Sequence, residues 1–240
     1  MAFIHGKNTA VYYNGSNLSS YFNEASISQD IETAETTAFG NSAKTYITGL
    51  KDGTMSMSGM FDGAEDAVDA VLTSTLGATA SDVATVVRAG VSSSGVATFS
   101  AEVRETSYEL SSPVSDVVAA NLEVQATGGV DRGLLLAGDS TLSASATSSA
   151  INNGSSTSNG GVGYLHVTAN DRDGASTFKV QDSADGITYA DLVTFTNVSA
   201  SATGGERVAV TGTVEQYVQA EAVPGGSSGS VTYTMAFARK

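Results

Sequence analysis

The sequence predicts a mainly β protein: a β-sandwich or barrel with one flanking α-helix, followed by a second antiparallel β-sandwich. Three observations predict it. Apolar residues alternate with polar ones over short runs, the period of a half-buried strand. The runs are bounded by Gly, Asn, Asp and Ser, the residues of tight turns. Only one stretch has helical spacing.

The alternation is clearest at Ala97, Phe99, Ala101 and Val103, set against Thr98, Ser100, Glu102 and Arg104. It recurs at Ala25/Ile27/Ile31, at Met55/Met57 leading to Phe61, at Val118/Ala120/Leu122/Val124 and at Val231/Tyr233/Met235/Phe237. Antiparallel sheets with one wet face read this way. The helix is expected from Gly63 to Leu76, with Asp62 as N-cap, Glu65 three positions on in an Asp form of the capping box, and Gly77 as the stop. Its apolar positions Ala64, Ala67, Val68, Val71, Leu72 and Leu76 form one stripe that can lie on a sheet. Between Gly138 and Gly163 the chain turns rich in Ser, Thr, Asn and Gly, the composition of a linker or of a long, weakly specified strand-and-loop. A boundary is therefore placed near 138, dividing the chain into 1–137 and 138–240. Beyond it, strand candidates are separated by Asp173-Gly174, Asp185-Gly186, Gly204-Gly205 and Pro224-Gly225-Gly226.

Composition excludes several classes of function. The chain has 240 residues, enough for one large all-β domain or two ordinary ones, and is 41% hydrophobic and 15% charged. It has no Cys, which excludes disulfides, thiolate catalysis and Cys-based metal sites. Its two histidines, His5 and His166, are far apart in sequence, and a packed or edge role suits His166 better than a ligand role. The net charge is −14, with 6 bases and 16 acids in 1–133 and 5 bases and 9 acids in 134–240. No Lys/Arg cluster is present to bind nucleic-acid phosphates. The opening Met1–Lys7 lacks a basic region followed by a long apolar run, and no stretch is apolar enough to cross a bilayer, so a soluble chain without a secretory leader is expected.

The search for catalytic chemistry finds little. Gly225-Gly226-Ser227-Ser228-Gly229 matches a nucleophile-elbow pattern but follows a Pro-Gly loop and precedes a strand, so it reads as a flexible hairpin loop. Asp171, Asp173, Asp182 and Asp185 suit calcium by chemistry but not by spacing, and read as turns. The carboxylate pairs Asp30/Glu32 and Glu102/Glu105 read as solvated strand faces rather than as a glycosidase pair. No enzyme is expected. What remains is Thr36–Leu50, a segment between two strands far longer than a hairpin needs, carrying Phe39, Tyr46, Ile47 and Leu50. Aromatic and apolar anchors on a long loop point to a protein contact.

The order of features resembles the major tail tube proteins of long-tailed bacteriophages. The resemblance is carried by Thr36-Thr37-Ala38-Phe39-Gly40, the loop with Lys44 and Tyr46-Ile47, Gly49–Gly53, Phe61-Asp62-Gly63, Tyr108–Val114 and Gly128–Gly133, and it covers residues 1–137. It implies a tail-tube-type sandwich with one flanking helix, six copies joined edge to edge as a ring, and rings stacked into a tube. It implies contacts between subunits or rings at Phe39, Lys44, Tyr46, Ile47 and Leu50, with a second contact at the N-terminal arm around Phe3 and Ile4. The partners it implies are further copies of the chain and the tape-measure, tail-tip and terminator proteins, with no cofactor, no metal and no membrane; the location is the virion tail, after synthesis in the host cytoplasm. The C-terminal part looks like the sandwich modules appended to phage structural proteins. A tube conducting DNA favours an acidic lumen, and alternation and charge nominate Asp30, Glu32 and Glu102 for it, with Ser28 and Ser100 beside them. Competing readings are a secretion-system tube, a capsid decoration protein, and a carbohydrate-binding sandwich stacking sugars on Tyr164, Tyr189 or Tyr217.

Overall fold

A computed structural model describes residues 5–240. Strands β1 (Ala10–Tyr13) and β2 (Ser16–Asn17) are joined by Asn14 and Gly15 at φ of 45° and 87°. Two positive φ values in a two-residue turn match the right-handed twist of the strands they connect. Two long strands follow, β3 (Phe22–Glu35) and β4 (Tyr46–Met60), then helix α1 (Val68–Thr75), β5 (Asp82–Val87), β6 (Ala97–Ser111) and β7 (Ala119–Leu142). The C-terminal part holds β8 (Ala146–Thr147), β9 (Ile151–Asn152), β10 (Gly161–Asn170), β11 (Thr177–Ser183), β12 (Ala190–Thr194), β13 (Gly204–Val210), β14 (Tyr217–Val223) and β15 (Val231–Arg239). The chain is thus mainly β with a single α-helix among the described residues, and every ladder between these strands is antiparallel.

The helix is shorter than its sequence signature. Asp62 Oδ1 accepts from the amide of Ala64 at 3.0 Å, so it closes a local turn instead of capping the helix, and Asp66 sits at φ 62°, which interrupts the helical path. The helix starts after that break and ends before Gly77 at φ 73°, the left-handed stop expected there. Ala67, Val68 and Leu72 are buried, as the stripe predicts.

One ten-stranded sheet runs β13-β10-β15-β7-β6-β5-β1-β2, with β4 joined to β7 and β3 to β4; a second sheet runs β12-β11-β14-β8, with β9 also on β14. Strand β7 organises both. Its residues Ala119–Gln125 pair with β4 on one side, its residues Leu134–Leu142 pair with β15 on that side, and β6 lies along the other side as far as Leu134. Position 138 lies inside this strand. Gly138 is there for space: a Cβ would come 2.6 Å from the carbonyl oxygen of Val91.

Two main cores result. Under α1, Val11, Tyr13, Met55, Met57, Leu72, Val103 and Leu122 fill the N-terminal part. Between the two sheets, Phe178, Val180, Phe195, Val218, Tyr233, Met235 and Phe237 fill the C-terminal sandwich. Of two smaller clusters, one joins the halves, with Val83 against Val162, Tyr164 and Ala236, and the other gathers Ala10, Tyr12, Val87 and Leu135. Because both faces of β5 and β6 are covered, Thr98 and Ser100, which alternation places on a wet face, are buried. The Asn14–Gly15 turn abuts β13, where a Cβ on Gly15 would meet Gly204 Cα at 2.4 Å.

Candidate assembly surface

Strands β3 and β4 leave the body of the protein as a ribbon. At its base Ala25 and Ile27 pack on the N-terminal core and Met55 and Met57 are buried. Ties to the body at this level are Gln29 Nε2, which donates to the carbonyl oxygen of Val130 at 2.7 Å, and Gln125 Nε2, which donates to that of Gly53 at 3.1 Å and to the Asp52 carboxylate. Every residue from Ser28 to Asp52 is exposed. Strand pairing continues well into the segment read from sequence as loop: Ala34 faces Ile47 and Glu35 faces Tyr46. The connection is therefore Thr36–Thr45 rather than Thr36–Leu50, and it is laced by Thr36 N to Thr45 O at 2.8 Å and by the two hydroxyls at 3.1 Å. Tyr46, Ile47 and Leu50 are strand residues. They were missed as such because a run with apolar residues on both faces has no period of two.

The ribbon carries its apolar groups in the open: Ile31, Phe39, Tyr46, Ile47 and Leu50 are all exposed, Phe39 completely. Lys44 lies 3.1 Å from Glu35 in an exposed ion pair. A register shift between Ile31 and Thr33 sets Gly49 against Glu32, where a Cβ would meet that of Glu32 at 3.1 Å. Such a bulge re-aims the strand beyond it. Asp30 and Asp52 face each other across the ladder, a like-charge pair that disfavours the ribbon in isolation. Asp30 and Glu32 share the ribbon; Glu102 does not, and lies on β6 with its carboxylate 3.9 Å from Arg207. Phe3 and Ile4 lie outside the described residues.

Strand β3 pairs only with β4 among the described residues, so its outer edge is open. Along it runs a cleft of about 760 Å³ lined by Lys7, Val11, Phe22, Ile27, Val86 and Phe99. An open edge presents unpaired N–H and C=O groups to any incoming strand.

Elsewhere the candidate chemistry resolves into structure. Asp173 Oδ1 accepts from the amides of Ser227 and Ser228 at 2.8 and 3.1 Å, and Asp171 accepts from Ser230. Buried Arg172 donates to the carbonyls of Gly225, Gly226 and Gly229 at 2.7, 3.0 and 2.6 Å. The Gly225–Gly229 segment is thus a clamped loop, not a flexible one. These backbone donors hold the Asp173 carboxyl down at about 2. Asp182 accepts from Glu215 N at 2.8 Å and Asp185 closes its own turn on Ile187 and Thr188, both at 2.9 Å. No group of three or more potential metal ligands is found among the described residues, and no helix there is long and apolar enough to cross a membrane.

The pair Glu102/Glu105 is split between the two faces of β6. Glu105 is buried beneath α1, where Thr75 donates to it at 2.6 Å, and the hydroxyl of Tyr13 lies 3.1 Å from Asp82 and 3.5 Å from Glu105. Burial raises both carboxyls above their ordinary range. The solvated-face reading fails for Glu105 because its odd position continues the apolar face of Phe99, Ala101 and Val103. Tyr164, a sugar-stacking candidate, is buried with its hydroxyl donating to Asp131 at 2.7 Å, so it cannot stack on an external ring. His166 is fully buried at the junction of the halves; the amide of Gly15 donates to its Nδ1 at 3.3 Å, leaving Nε2 to donate to Thr85 Oγ1 at 2.9 Å. Burial lowers its pKa to about 3.

No family model and no curated protein matches the chain. Solved structures do resemble it. A chain from the virion of a native gene transfer agent particle matches at 14% identity and a TM-score of 0.44, over 54% of this chain and 98% of its own. A chain from the sheath/tube terminator of an extracellular contractile injection system matches at 14% identity and 0.45, over 55% and 97%. The SPP1 Dit protein, described as a hub adsorption apparatus of phages infecting Gram-positive hosts, matches at 12% identity and 0.37, over 95% and 97%. These are similarities of chain trace at low identity.

Proposed function

We propose that this protein is a structural subunit of a phage-type tail tube, in which copies join through open sheet edges into rings, hexameric by the sequence resemblance, and the rings stack through the β3–β4 ribbon. The observation that carries this reading is the ribbon itself: Ser28 to Asp52 is exposed on both faces, with five large apolar side chains in water. A two-stranded ribbon standing alone is marginal in water, and edges and apolar groups of this kind are normally paired or covered. A second copy supplies both covers. The acids on the ribbon, Asp30 and Glu32, suit the wall of a channel through which DNA passes without binding, since carboxylates repel phosphates.

In this reading the virion tail is the place of action, and the tape-measure, tail-tip and terminator proteins are its neighbours. The test is electron microscopy with sedimentation velocity on the purified protein across a concentration series. Rings or tubes with a central channel are expected. A chain that stays monomeric at every concentration removes the reading.

A further inference from the structure

We infer that a cleft between the two sheets, at one end of the C-terminal sandwich, binds a small amphiphilic carboxylate, with the carboxylate between Arg132 and Arg239 and a short acyl or aromatic body on the apolar floor beneath them. The site is separate from the ribbon, and the inference does not depend on the tube reading.

Strands β7 and β15 of the first sheet and β9 and β14 of the second line a cleft of about 310 Å³. Its floor is apolar, made by Leu134, Leu136, Ile151, Val218 and Phe237, and its polar side chains are Arg132, Asn153 and Arg239. Strand register brings the two arginines together. Leu134 pairs with Phe237, and the same register carried two residues further sets Arg132 beside Arg239 on one face of the sheet. On its other side Arg239 faces Gly161, so no side chain crowds that flank.

The arginines lack a counter-charge. Like charges side by side on a ladder repel, and no acid lines the cleft. The adjacent acid, Asp131, belongs to the opposite face of β7, where it pairs with Lys240 and accepts from the Tyr164 hydroxyl at 2.7 Å. Arg132 is exposed and forms no ion pair among the described residues. Arg239 is anchored through Nη2, which donates to the carbonyl oxygens of Ser155 and Val214 at 2.7 and 3.2 Å. Its Nε is buried with no acceptor among the described residues, and burial lowers its pKa. Buried donors are normally satisfied, so an orphan beside a cleft marks an acceptor that the chain does not supply.

A carboxylate answers both arginines, because its planar pair of oxygens matches the guanidinium fork. The floor selects an apolar body as well, the usual division of labour in a small-molecule site. A cavity of about 150 Å³ already admits benzene, so this volume suits a short acyl chain or a single ring with its carboxylate attached. Free phosphate would leave the floor in water. An uncharged alcohol would leave the arginines without a partner.

Titration of the full chain with sodium octanoate, followed by calorimetry at low salt, tests this, with 1-octanol and inorganic phosphate as comparison probes. Octanoate is expected to bind one per chain with a Kd of about 1 mM or tighter, a modest efficiency for about ten heavy atoms. Octanol and phosphate are each expected to bind at least about tenfold more weakly, since each meets half of the site. The variant R132Q changes an exposed side chain, so its thermal unfolding without ligand is expected to match the wild type, while octanoate binding weakens about tenfold or more through loss of a charge-assisted pair. Octanoate that fails to saturate, or that binds R132Q as tightly as the wild type, overturns the inference. Octanol binding the wild type as tightly as octanoate overturns it without any variant, and phosphate doing so removes the amphiphilic ligand class.

Discussion

At the scale of single residues, His166 has a chemical consequence that is read in bulk. It sits neutral between the Gly15 amide and the Thr85 hydroxyl, its ring centre 5.7 Å from that of Tyr12, and among the described residues no carboxylate hydrogen-bonds to it. Its folded pKa of about 3 lies below the 6.5 of an exposed histidine, so between those values the unfolded chain binds the extra proton. This group therefore contributes stability that is complete above pH 6.5 and is lost as the pH falls toward 3, at about 1.4 kcal/mol per pH unit. Glu105 and Asp82, with raised pKa values, act in the opposite sense. Urea unfolding of wild type and H166Q at pH 7, 5.5 and 4.5 separates them: the difference between the two proteins is expected to shrink on acidification. A constant difference would show that His166 is protonated in the fold.

Among the structural elements, two phenylalanines contrast a core position with an exposed one. Phe178 on β11 is completely buried, its ring centre 5.0 Å from that of Tyr233 and tilted 52° to it. Its truncation to Ala is expected to cost about 3–5 kcal/mol of folding stability, since a cavity is left in a packed core. Phe39 touches solvent on every side. Phe39→Ala is expected to leave monomer unfolding unchanged and to weaken assembly by about 2 kcal/mol or more, the size of an interface anchor. Calorimetry on dilute protein and critical concentrations for polymerisation read the two effects separately; equal loss of monomer stability in both variants would place Phe39 in the fold rather than in a contact.

At the scale of the whole molecule, β7 ties the halves together. It lends one end to the N-terminal sheet and the other to the C-terminal sandwich, and Val83, Tyr164, His166 and Thr85 close the space between them. The expected result is a single cooperative unfolding transition, with fluorescence and circular dichroism midpoints coinciding. Two resolved transitions would mean that the junction is weak and that the chain divides into independent units.

The sequence by itself determined the fold class, because a period of two bounded by turn residues is a local property of each strand. It also determined the absence of thiol chemistry and the acidic balance, and it singled out Phe39, Tyr46, Ile47 and Leu50 as residues without an obvious place in a core. Only the tertiary structure decided the rest. That Tyr46–Leu50 continues a strand depends on pairing with Thr33–Glu35 on another strand. That Thr98 and Ser100 are buried depends on a second layer arriving from residues 162–236, which alternation along β6 does not register. Likewise, α1 begins late because Asp62 closes a local turn on Ala64 and Asp66 takes a positive φ, a competition that spacing alone does not rank. Local periodicity reports which face of an element is apolar; which faces are covered, and by what, is set by contacts between residues a hundred positions apart.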